Sequence, residues 1–101
     1  MKFITFCIYD VAKFAEVAQA SDKNSKIPGQ KMLANYICLG KAFDGIPLNH
    51  GVSITIREAE SAEILGAAIY NVALTGATIW AVPVMEVPVG GSVAELKKAQ
   101  K

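Results

Sequence analysis

The chain has 101 residues, of which 52% are apolar and 19% charged, and its formal net charge is +1. Ordinary soluble domains carry roughly 25% charged residues, so this composition excludes a disordered chain, which is depleted in apolar residues. The near-neutral balance gives no electrostatic ground for binding nucleic acid or an acidic membrane surface. The apolar excess is more than one small protomer hides by itself, and it predicts a partner surface.

Residues 2–9 are rich in aromatic and β-branched side chains and predict a strand. Ile4, Phe6 and Ile8 share one side; Phe3, Thr5, Cys7 and Tyr9 share the other. Asp10 is a candidate N-cap, and Val11, Phe14, Val17 and Ala18 follow at helical spacing, predicting a helix over 11–21. A polar loop at 21–26 leads to Pro28-Gly29, a pair suited to a type II turn. Residues 31–39 predict a second strand, with Met32, Ala34, Tyr36 and Cys38 on one face and Leu33, Asn35, Ile37 and Leu39 on the other. A long connection over 40–51 contains Asp44-Gly45, Pro47 and Asn49. Val52, Ile54 and Ile56 alternate with Ser53 and Thr55 in a third strand.

Ser61 caps a second predicted helix, with Glu58, Glu60 and Glu63 near its positive end. Leu65, Ala68, Ile69 and Val72 form its apolar stripe, and Gly76 takes the terminating position. Residues 78–87 predict a fourth strand, and Pro83 within it argues for an edge strand or a bulge. Ser92 and Glu95 have capping-box spacing, so a short helix is expected in the tail. The stretch 64–85 lacks any charge over 22 residues, long enough to span a bilayer. Asn71, Thr75, Gly76, Thr78 and Pro83 interrupt it, and no Lys or Arg closely flanks it, so a helix-turn-strand is expected instead. The short apolar start lacks a signal cleavage site, and the expected location is cytoplasmic. Cys7 and Cys38 are then expected as reduced thiols.

The order β-α-β-β-α-β is the ferredoxin-like split βαβ motif. The expected architecture is α+β: a four-stranded antiparallel sheet with two helices on one face, plus a short C-terminal helix. The expected division is a domain at 1–88 and a helical extension at 89–101. The usual strand order, 4-1-3-2, puts the proline-bearing strand on an edge. It also separates the Cys7 and Cys38 strands by about 9–10 Å, too far for a disulfide. The helix-free face carries one of the two sets on the first strand. Neither set belongs in water, so a homodimer or higher homo-oligomer joined through this sheet face is expected.

Several short motifs resemble those of the small dimeric α/β-barrel superfamily. The run Glu58-Ala59-Glu60-Ser61-Ala62-Glu63-Ile64-Leu65 resembles its helix entry "EADDPEAL". Pro28-Gly29-Gln30-Lys31-Met32-Leu33 is similar to the "PGVKVL" lead into the second strand, and Val82-Pro83-Val84-Met85-Glu86 to the closing "V-x-P-V-x-E". Leu39-Gly40 and Phe43-Asp44-Gly45 resemble the "LG-x-YDG" stretch of the GYD family, with one extra residue between and Ile46 to His50 inserted after it. The resemblance covers about residues 1–88. It implies a dimeric barrel, and a family that includes cofactor-independent monooxygenases and isomerases working in a cavity between sheet and helices.

Candidate site residues are few. His50 is the chain's one histidine, the side-chain type suited to proton transfer near neutrality; it is a candidate general acid/base or a metal ligand at an oligomer interface, or a plain loop histidine. Asp44 is a candidate to orient it, or simply the first half of an Asp-Gly turn. Tyr9, Asn35, Tyr36 and Trp80 are candidates to line a pocket for a small apolar molecule, or aromatics of core and interface. Two cysteines and one histidine do not make a zinc site within one chain, and no metal is expected. Gly90-Gly91-Ser92 lacks the phosphate-loop and dinucleotide patterns, so no cofactor is expected. The aromatic stacking residues of RNA-binding ferredoxin-like modules are missing from 52–56. Two functions remain: a small-molecule binding or cofactor-independent enzyme domain, with a pocket where His50, Tyr9, Tyr36 and Trp80 converge, or an oligomerisation module with a filled interior.

Overall fold

A computed structural model describes residues 1–100. In chain order it contains strand β1 (Lys2–Asp10), a 3-10 turn (Val11–Lys13), helix α1 (Phe14–Asn24), strands β2 (Gln30–Ile37) and β3 (His50–Ala59), helix α2 (Ala62–Ala73), strand β4 (Thr78–Pro83) and helix α3 (Ser92–Ala99). The sheet order is β2-β3-β1-β4, with every neighbouring pair antiparallel. This is the ferredoxin-like arrangement. Pro83 closes an edge strand, where its missing N–H costs no ladder hydrogen bond.

Local chemistry sets the boundaries. The Asp10 side chain accepts from Ala12 N at 3.0 Å, and a single tight turn precedes α1, so the α-helix begins three residues later than the periodicity predicts. Ser61 caps α2 by accepting from Ile64 N at 3.2 Å. Gly29, at φ +83°, supplies the left-handed residue of the turn into β2. An added Cβ there would lie 2.6 Å from Ile64 Cδ1. The uncharged stretch 64–85 divides into most of α2, a turn and β4. No helix among the described residues is long and apolar enough to cross a membrane.

Three expectations change. Strand β2 does not alternate strictly: its register slips between Met32 and Ala34. Met32 pairs with Arg57, while Ala34 and Tyr36 pair with Ile56 and Ile54, so Met32 falls on the opposite face from those two. A bulge spends one residue without advancing the pairing, which period-two counting does not detect. Strand β4 ends at Pro83 rather than at residue 87. The Ser92–Glu95 capping box does not form: Gly91 is the N-cap of α3, and Ser92 Oγ donates instead to Pro88 O at 3.5 Å.

The helices cover the face of the sheet that carries Phe3, Thr5, Cys7 and Tyr9. The core there is split. One cluster joins Cys7 and Tyr9 to Val17 of α1 and Val72 of α2; the other joins Phe3 and Ala59 to Leu65 of α2. Between them on β1 sits Thr5. The helices are tied together by Asn71 Nδ2, which donates to Oδ1 of the fully buried Asn24 at 3.0 Å.

Helix α3 buries no residue. The radius of gyration is 15.2 Å, above the roughly 13 Å of a compact chain this long, and the extents are 46 × 33 × 17 Å. The shortest extent is that of one sheet under one helix layer; the sheet's other side is covered in part by the long connection between β2 and β3, which lies against Phe6 and Val52.

The Asn24–Asn71 bond gives a direct test. Asn71→Ala leaves a fully buried amide oxygen without its partner and is expected to cost about 1–3 kcal/mol, measured by urea denaturation. A cost under about 0.5 kcal/mol would contradict a structural role for this pair.

Candidate functional site

Strand register arranges the helix-facing side of the sheet in rows. Phe3, Arg57 and Met32 form one row; Thr5, Thr55 and Asn35 the next; Cys7, Ser53 and Ile37 the third; Tyr9 and Gly51 the fourth. The row of Thr5, Thr55 and Asn35, together with Ser53 and Arg57, is polar where a covered sheet face is ordinarily aliphatic. These rows also hold Cys7 and Ile37. They line a cavity of about 100 Å³. Helix α1 closes one side with Phe14, Val17, Ala18, Ser21 and Asp22, the i, i+3, i+4 face of one helix. Val72 of α2 and Ile79 of β4 close the far side. Asn35 and Ile37 are exposed on the edge strand β2, so the mouth lies between that edge and α1.

Arg57 is the chain's only arginine, and it is 2% exposed. Its guanidinium makes one hydrogen bond among the described residues, from Nη1 to Gln30 Oε1 at 3.4 Å. Its Nε has no partner, and no carboxylate pairs with it among the described residues. Burial pulls its pKa below the ordinary arginine value. Gln30 is itself held by donating Nε2 to Asn24 O. Thr5 is equally buried, and its hydroxyl has no partner. Thr55 Oγ1 donates to Asn35 Oδ1 at 3.2 Å. Buried polar groups are ordinarily satisfied, so two unpartnered groups on one cavity wall mark the place where the interior is arranged for something other than packing.

Cys7 and Tyr9 join Arg57 as titratable groups on the sheet wall of the cavity. Burial pushes the Cys7 thiol above its ordinary value, outweighing the hydrogen bond with Ser53 and the charge of Arg57. Burial likewise raises the Tyr9 phenol. The Tyr9 ring lies over Gly51, its cross-strand partner: a Cβ built on Gly51 would sit 2.6 Å from the phenol oxygen. Phe14 stands beside that ring, with centroids 5.6 Å apart.

The six sequence candidates do not gather at one place. Tyr9 and Asn35 line the cavity. Tyr36, 58% exposed, and Trp80, 37% exposed, lie on the helix-free face. There Trp80 stacks on Phe6 at 5.3 Å, and Phe43 from the long connection meets Phe6 edge-on at 5.7 Å. His50 begins β3; its Nδ1 donates to Leu48 O at 3.1 Å, and the ring borders a separate surface cleft with Asp10 and Lys13. Tyr9 and Val17 line both that cleft and the cavity. Asp44 is fully exposed and stands 3.8 Å from Lys41. Its successor Gly45 has φ +80°, as an Asp-Gly turn requires. Arg57 and Thr5 were not among the candidates. The sequence signal for Arg57 is slight: it is the chain's one arginine, one residue past the apolar alternation of the third strand and next to Glu58.

No protein-family model matches the chain, and no curated protein matches it. Among solved structures it is similar to SnoaB, a cofactor-independent oxygenase from Streptomyces nogalater, with 13% identity over 86% of this chain and 97% of that one and a TM-score of 0.49. At that level the roles of residues here rest on their own geometry.

Two outcomes follow from the cavity wall. Gly51→Ala is expected to displace the Tyr9 ring and to cost about 1–3 kcal/mol, as overpacking does; unchanged stability and unchanged Tyr9 resonances would contradict the close approach. With its thiol raised by burial, Cys7 holds little thiolate at neutral pH. A thiol reagent is expected to label the partly exposed Cys38 first and Cys7 only on unfolding; rapid labelling of Cys7 in the native chain would contradict this.

Proposed function

We propose that the protein is a homodimer of the dimeric α/β-barrel type that binds a small, mainly apolar molecule between its sheet and its helices. The observation that carries this is the cavity itself. It interrupts the core at the centre of the domain, it has an opening, and it combines apolar walls with a few convergent polar groups, as ligand sites do. An oligomerisation module needs no such opening; its interior would be filled.

The dimer is supported by the opposite face. Ile4, Phe6, Ile8, Ile54, Ile56, Trp80 and Val82 share it by register, and no helix covers it. Tyr36 adds a largely exposed ring at one edge. Burying large apolar side chains stabilises by about 1.5–3 kcal/mol each, and a second copy brings the same set, related by a two-fold axis. A cofactor-independent oxygenase or isomerase reaction, if the protein catalyses one, takes place in the same cavity. The titratable side chains besides Arg57 on its lining are Cys7, Tyr9 and Asp22. His50 and Asp44 line other surfaces, which weighs toward binding as the primary role.

Light scattering after size exclusion tests the assembly. The chain is expected to run as a dimer or a multiple of it, and Ile54→Glu as a folded monomer; a monomeric parent chain at all concentrations would refute the sheet-to-sheet reading. NMR titration with benzyl alcohol tests the cavity. Shifts are expected at Cys7, Tyr9 and Ser53. No shift at any of them at millimolar concentration would refute the binding reading.

A further inference from the structure

We propose that the molecule taken into this cavity is a small organic carboxylate, with its carboxylate on Arg57 Nε and the Thr5 hydroxyl and its apolar remainder toward Tyr9, Val17 and Ile79. The inference rests on the binding reading above and names the class of ligand.

Both unpartnered groups on the wall can donate. Arginine offers only N–H donors, and a threonine hydroxyl donates one hydrogen. Arg57 and Thr5 are diagonal neighbours on adjacent strands, since Thr5 pairs with Thr55 and Phe3 with Arg57. Such positions lie about 7–8 Å apart, within reach of a long side chain, so the guanidinium and the hydroxyl can meet the two oxygens of one carboxylate. Arg57 is the only cationic side chain on the cavity lining, and the one carboxylate there, Asp22, is solvent-exposed at the mouth on α1 and does not pair with it. A buried guanidinium without a counter-ion is strongly disfavoured, and its retention at 2% exposure, beside an orphan hydroxyl, fits an anion that arrives with the ligand. Gln30 holds the guanidinium through Nη1 and leaves Nε without a partner. The third unpartnered buried donor, Asn24 Nδ2, belongs to the junction between the helices and is not on the cavity lining.

Size narrows the class. A volume of about 100 Å³ is smaller than the roughly 150 Å³ that encloses a benzene ring, so the ligand is a short-chain acid, or a single-ring acid whose ring extends into the mouth. The lining beyond the two donors is aromatic and aliphatic, with the Tyr9 and Phe14 rings on one side. Dicarboxylates and phosphates fit poorly, because their second charge finds no cation there.

The test uses benzoate, its neutral isostere benzamide, and benzyl alcohol, titrated into the full chain by NMR. Benzoate is expected to bind about tenfold or more tightly than benzamide, the worth of a charge-assisted hydrogen bond. Arg57→Met is expected to remove that preference, to leave benzyl alcohol binding in place, and to raise the Tm of the free protein by relieving the unpaired charge. Thr5→Val, which keeps the shape of the side chain, is expected to weaken benzoate about fivefold and serves if Arg57→Met does not fold. Equal binding of benzoate and benzamide, or a preference that survives Arg57→Met, overturns the carboxylate proposal while the cavity reading stands. Binding of none of the three overturns both. A lowered Tm for folded Arg57→Met with no loss of benzoate marks Arg57 as structural and also overturns the proposal.

Discussion

A strand presents alternate side chains to opposite faces, and in this sheet the alternation runs against the usual assignment of apolar to inside. On β1 and β3 the residues turned toward the helices include Thr5, Cys7, Ser53, Thr55 and Arg57, while those turned away include Ile4, Phe6, Ile8, Ile54 and Ile56. A one-residue shift of register would exchange the two sets and put the polar one in water. The observed register does the reverse, and much else in the molecule depends on it. The helix-side core is divided into two clusters, the space between them is open, and the apolar opposite face is covered only in part, by the long connection over Phe6 and Val52.

These two consequences are linked energetically. A domain with Arg57 at its centre forgoes the aliphatic packing that would otherwise supply much of its stability, and it buries a charge that ordinarily requires a partner. Apolar area remains to be hidden on the helix-free face. The proposed association through that face would offset the deficit by stabilising each folded protomer through mass action, leaving the interior free to be shaped for a ligand rather than for packing alone. Trp80 and Phe6, stacked and flanked by Phe43, are preorganised for such a contact. The tail beyond Pro83 is anchored only near its start, by Val84 N on Lys2 O and by the Lys2–Glu86 pair. Helix α3 buries no residue and makes no core of its own.

The fold was legible because its signals are local. Strand β1, the caps at Asp10 and Ser61, the Gly29 turn, the stripe of α2 and the edge position of Pro83 all follow from a few neighbouring residues, and the element order then leaves few topologies. The bulge near Leu33 was not legible, since it depends on pairing with β3 rather than on β2 alone. The choice between the two faces of β1 was also open: each is largely apolar, and only the positions of Arg57 and Thr55 relative to the helices decide it. The candidate site was half legible. Aromatic and amide tips on strands pointed to Tyr9 and Asn35, but the same reasoning drew in Tyr36 and Trp80. The slip between Met32 and Ala34 sets which residues of β2 share a face with Tyr9, and neither Tyr36 nor Trp80 does. Arg57 escaped notice because an arginine after an apolar strand reads as a solvated end; it is flanked by β1 and β2, both distant in sequence.

The central claim is that this sheet turns its apolar face to a second copy of the chain and its polar face to a cavity. Isotope-filtered NOE spectroscopy on a mixed sample, one half of the chains labelled with carbon-13 and the other unlabelled, tests it most directly. The account predicts intermolecular NOEs linking the methyl groups of Ile4, Ile54 and Ile56 to the rings of Phe6, Tyr36 and Trp80, and none from Val17 or Val72. Intermolecular NOEs confined to the helices, or none at concentrations where the chain is folded and monomeric, would contradict it.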